Sequence, residues 1–96
     1  MLILVSYDVS TETSEGRRRL RQVAKVCLNY GQRVQKSVFE CQVDLALTES
    51  LKSELLAIIN EAEDSLRIYR IVEPLKKNLM EFGKFKAINF ESTLIV

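Results

Sequence analysis

Two hydrophobic rhythms alternate along the chain, and their order predicts the fold. Leu2-Ile3-Leu4-Val5-Ser6-Tyr7-Asp8-Val9 is β-rich and apolar on both faces, as a central strand covered on both sides would be. A polar run over 10–14 follows, whose last hydroxyls are placed to cap a helix. Leu20, Val23, Ala24, Cys27 and Leu28 then recur at i, i+3, i+4, i+7 and i+8, the apolar stripe of an amphipathic helix. Gly31 stands where a left-handed C-terminal cap belongs.

Between Arg33 and Asp44 the alternation changes phase. Val34 and Val38 share one face, whereas Phe39, Cys41 and Val43 share the other. A period of two changes face only through a bulge or a turn, so two strands are expected to meet near Lys36-Ser37. Helical spacing returns from about Thr48, through Leu51, Leu55, Ile58, Ile59 and Ala62. A fourth strand is expected over Ser65–Val72, stopped by Pro74.

The resulting order, β-α-β-β-α-β, predicts an α+β, ferredoxin-like domain with both helices on one face of an antiparallel sheet. Residues 1–74 suffice for that core. Residues 75–96 form an extension with Lys76, Lys77, Lys84 and Lys86 and an apolar tip, Thr93-Leu94-Ile95-Val96. An apolar strand at a terminus needs a sheet edge to pair with, and a partner subunit is the expected source.

Composition narrows the picture. A chain of 96 residues fits one domain with a modest core, which gains from burial shared between subunits. Hydrophobic residues at 47% and charged residues at 28% argue against disorder. With 14 Lys and Arg against 13 Asp and Glu, overall charge points to no partner, so any nucleic-acid affinity must come from a local cluster. Cys27 and Cys41 fall inside apolar patterns and read as buried thiols; without histidine or a CxxC pair, a zinc site is not expected. Met1–Val5 is too short for a signal peptide, and no segment reaches membrane-spanning length, so a cytoplasmic protein is expected.

Asp8 closes an apolar strand, where the backbone holds its carboxylate beside a loop. Such a residue either opens the loop by accepting backbone N–H bonds or serves as an oxygen ligand for Mg²⁺. No second carboxylate adjoins it in sequence, but a two-fold axis would bring in the Asp8 of a second subunit. Arg17, Arg18, Arg19 and Arg21 crowd the start of the first helix, where the macrodipole disfavours cations. They form either a solvated face balanced by Glu12 and Glu15 or a phosphate-binding surface, which Arg33 could join. Phe39 suits the core or a dimer surface, and Tyr7, next to Asp8, is equally open.

At these residues the sequence resembles the CRISPR-associated protein 2 family. The specific stretch is Tyr30-Gly31-Gln32-Arg33-Val34-Gln35-Lys36-Ser37-Val38-Phe39-Glu40-Cys41. Val5-Ser6-Tyr7-Asp8-Val9, the arginine-rich helix start and Ser65-Leu66-Arg67-Ile68-Tyr69-Arg70 match more loosely, and together these span about three-quarters of the chain. The resemblance implies a ferredoxin-like homodimer whose C-terminal strand extends the neighbour's sheet. It also implies Asp8 as a paired Mg²⁺ ligand, first-helix arginines (Arg17, Arg18, Arg19) on phosphates, and Arg33 and Phe39 as nucleic-acid or activity residues. Two functions follow from it: a Mg²⁺-dependent endonuclease on single-stranded RNA or double-stranded DNA, and a non-catalytic scaffold bridging the CRISPR-associated integrase while gripping spacer DNA. A ferredoxin-like regulatory domain is the weaker third reading.

Overall fold

In a computed structural model of the chain, residues 1–83 are described. They form β1 (Leu2–Asp8), α1 (Ser14–Leu28), β2 (Gly31–Gln35), β3 (Val38–Gln42), α2 (Leu45–Leu56), β4 (Ser65–Ile71) and a single turn, α3 (Leu75–Asn78). The expected C-terminal strand lies outside the described residues. The four strands form one antiparallel sheet in the order β2-β3-β1-β4, the ferredoxin-like arrangement.

β1 is central, as its apolar run implies. Its alternate residues Ile3, Val5 and Tyr7, continued by Val9, face the helices. They meet Val23 and Cys27 of α1, Leu51 and Leu55 of α2, and Phe39 and Cys41 of β3 in one core. On the other face Leu2 is buried, Leu4 and Ser6 are half-buried, and Asp8 is exposed.

Local chemistry sets the helix ends. Thr13 caps α1 by accepting from the Gly16 N–H at 3.0 Å, in the expected polar run. α2 begins earlier than its apolar spacing suggests, because Asp44 accepts from the Leu47 N–H at 2.7 Å. It also ends earlier, at Leu56, and Ile58 and Ile59 pack against the core from the turn beyond it. Tyr30 donates its hydroxyl to Glu54, joining the segment after α1 to α2.

Gly31 is not the left-handed cap of α1. The helix closes on Asn29 in the right-handed region, and Gly31 opens β2 opposite Cys41. A side chain there has no space: a Cβ would lie 2.1 Å from the Glu40 carbonyl oxygen and 2.7 Å from the Cys41 sulfur. The turn at Lys36-Ser37 lies where the phase change places it, and the β2–β3 register shifts between Arg33 and Gln35.

One buried carboxylate joins three segments. Asp64, directly before β4, accepts from Arg19 Nε at 2.8 Å and Nη2 at 3.2 Å, from the Asn60 N–H at 2.9 Å and from the Ser10 N–H at 3.0 Å. The Arg19 hydrogen bond, helped by the two amides, lowers its pKa to about 2 against burial, which opposes the shift. Its contribution is therefore complete above pH 3.8, the ordinary value, and fades as pH falls through about 2. Asp64→Asn should cost on the order of 2 kcal/mol at pH 7. Urea unfolding of both proteins from pH 7 downward checks this: the gap should hold to about pH 4 and narrow below it, and a pH-independent gap would refute the assignment.

Candidate nucleic-acid interface and carboxylate site

Strand geometry divides the sequence-derived site residues between two faces. Asp8 is the last residue of β1, paired with Ser65 of β4, and its exposed carboxylate belongs to the face away from the helices. Two fixed points hold it: the β1–β4 ladder behind it and the Ser10–Asp64 hydrogen bond just beyond it. Among the described residues, no group of three His, Cys, Asp or Glu side chains is arranged to hold a metal ion. Asp8 by itself supplies one carboxylate, the smallest protein contribution Mg²⁺ accepts, and its exposure leaves room for water ligands.

Tyr7, Phe39 and Arg33 lie together on the helix-facing side. Phe39 is fully buried, which makes it a core residue of the subunit. The Tyr7 ring stacks on it at 6.2 Å between centroids, and the Arg33 guanidinium lies 5.1 Å from the Phe39 centroid. The Tyr7 hydroxyl is buried with no hydrogen-bond partner among the described residues. Burial pushes its pKa up, and neighbouring Arg33 opposes the shift.

The first-helix arginines do not act as one cluster. Arg19 is held by Asp64 and by Glu63 at 3.2 Å, carboxylates more than forty positions away, rather than by Glu12 or Glu15. Arg17 is exposed and donates to the Thr11 carbonyl at 3.0 Å, so its charge remains available. Arg18 and Arg21 are exposed and make no ion pair among the described residues. Lys76 and Lys77 are exposed on α3.

Sequence reasoning did not single out Asp64. The only local signal is the acidic run Glu61-Ala62-Glu63-Asp64 before a strand, which names no partner. Both cysteines match expectation: burial raises the Cys27 thiol to about 12 and the Cys41 thiol to about 11, so they are inert. Glu40 was not anticipated either. It is buried on the face that carries Asp8, its Oε1 has no partner among the described residues, and burial, then Glu81, raises its pKa.

Comparison with known proteins places this arrangement. The chain is 56% identical to the CRISPR-associated endoribonuclease Cas2 1 of Moorella thermoacetica, over all of both chains. It is 52% identical to the CRISPR-associated endonuclease Cas2 of Halalkalibacterium halodurans, over 99% of each. Among solved structures, Streptococcus pyogenes Cas2 at pH 6.5 aligns with a TM-score of 0.79 and 49% identity, covering 86% of this chain and 100% of that one. Residues 1–78 match the family described as CRISPR associated protein Cas2, and the chain belongs to that family.

Proposed function

We propose that the protein is a nuclease of CRISPR adaptation that cleaves phosphodiester bonds in single-stranded RNA or double-stranded DNA. The observation that carries this reading is the exposed Asp8 carboxylate, fixed at the end of a central strand in a chain whose relatives are named endonucleases. Exposed Arg17 and Arg18, together with Arg33, would hold the phosphate backbone. Arg19 serves the same surface through Asp64, by fixing the loop between Asp8 and α1. The sequence contains no histidine, and in this reading a carboxylate or water accepts the proton. Mg²⁺ held by Asp8 would supply charge to the scissile phosphate and lower the pKa of a bound water.

A homodimer is part of the proposal. One subunit offers one Asp8, and a two-fold axis would supply its twin. Val72, Met80 and Phe82 are also exposed, apolar surface that suits a subunit contact. Sedimentation should find a dimer at micromolar concentration, weakened by truncation before Ile88. A full-length monomer would overturn it.

The scaffold reading, bridging the CRISPR-associated integrase and gripping spacer DNA, draws support from the division between faces. Arg33 belongs to the face opposite Asp8, so phosphate binding there does not require cleavage. Either reading predicts that Arg17→Ala with Arg18→Ala weakens duplex binding and flattens the slope of log affinity against log salt by about 0.9 per lost contact. An unchanged slope in a titration from low to moderate salt would exclude these arginines.

Asp8→Asn separates the two readings. The variant should keep its thermal midpoint and duplex affinity while cleavage in Mg²⁺ falls roughly 100-fold or more, because an amide lacks the carboxylate charge. Cleavage that survives both the substitution and a chelator would refute the metal role. A wild-type protein that binds duplex but never cuts would favour the scaffold.

A further inference from the structure

A cavity of about 760 Å³ opens between α1 and the β2–β3 hairpin. Its size suits a small organic ligand. Leu20, Ala24 and the Tyr7 side chain give it apolar walls, and Arg21, Arg33 and Lys36 bring three cations to it. No acidic residue lines it among the described residues. Nor does any of the three cations form an ion pair among the described residues, although carboxylates elsewhere engage Arg19 and Lys52.

The cations come from different elements: Arg21 from α1, Arg33 from β2, and Lys36 from the hairpin turn. All three are exposed, so they give the cavity a positively charged rim that would attract an anion. The Arg33 guanidinium is braced on Phe39, and planar guanidinium groups recognise phosphate through paired hydrogen bonds. The buried Tyr7 hydroxyl, unpartnered among the described residues, lies beside Arg33 and Ser37 behind the same wall. A simple anion would use the cations and leave the apolar walls idle. A ligand that joins an anion to a flat, weakly polar body would use both.

We propose that this cavity binds a single nucleotide, its phosphate on Arg21, Arg33 and Lys36 and its base against Leu20 and Ala24. The choice of ligand rests on the nucleic-acid function proposed above, but the site is separate from Asp8, which belongs to the opposite face of the sheet. The nucleotide could be free or the phosphorylated end of a strand, and one titration series distinguishes these sources.

The full-length protein is titrated with adenosine 5′-monophosphate, adenosine, inorganic phosphate, and a short single-stranded oligonucleotide with or without a 5′-phosphate, followed by calorimetry and amide NMR. Adenosine 5′-monophosphate should bind saturably and shift amides around Tyr7, Ala24 and Lys36, with adenosine and phosphate each weaker by about tenfold or more. Arg21→Ala with Lys36→Ala should weaken it by a similar factor, and Ala24→Met should do so by filling the cavity without removing charge. Preference for the 5′-phosphorylated strand over its 5′-hydroxyl form identifies a strand end; equal strand binding with retained monophosphate binding identifies a free nucleotide. Absence of saturable monophosphate binding, or variants that bind as the wild type does, would overturn the proposal. Intact duplex affinity in that case would leave the nuclease and scaffold functions standing. Saturable monophosphate binding in a protein without duplex affinity would instead support the cavity and count against those functions.

Discussion

The Asp64 carboxylate uses both oxygens to hold the loop after β1, the first turns of α1 and the approach to β4 in one arrangement. Its side chain is fully buried, so losing any of these donors would leave a charge poorly solvated inside the protein. The bidentate geometry of Arg19 satisfies most of that demand and removes one cation from the positive end of the α1 dipole. Asp8, two residues before the pinned Ser10, inherits its position from this knot. So does the direction in which α1 leaves the sheet, because Gly16 packs against the Ser10 carbonyl where a Cβ would lie only 2.0 Å away.

Much of the architecture was legible because it depends on period alone. The alternation of β1, the stripe of α1 and the phase change at Lys36-Ser37 fix element type and order without reference to partners. What escaped depends on distance in sequence. Arg19 and Asp64 lie 45 positions apart, and no local pattern distinguishes Arg19 from Arg17 or Arg18. Gly31 misled for a related reason: glycine after a helix suggests a cap, whereas this one is required by the approach of β3 across the hairpin. Asp44 caps α2 ahead of Thr48, where the apolar spacing becomes regular.

The site residues were legible one by one, and their grouping was not. Asp8 and Tyr7 are neighbours in sequence, yet alternation sends them to opposite sides of the sheet. Arg33 and Asp8 can therefore be altered independently, so the phosphate-binding and cleavage roles proposed for them are separable by substitution. The fully buried Phe39 is central to this division: it supports the Arg33 cation and fills the core beneath Tyr7.

β1 also limits how the chain length can change. It is paired along both edges, with β3 over five positions and β4 over seven, whereas the β2–β3 ladder already contains an irregularity between Arg33 and Gln35. An extra residue in the hairpin can be taken up at that irregularity. A residue gained or lost within β1 instead inverts everything beyond it, carrying the Asp8 carboxylate towards the core and the Tyr7 ring into solvent. Insertions and deletions should accordingly be tolerated in the β2–β3 hairpin, and excluded from the seven positions of β1.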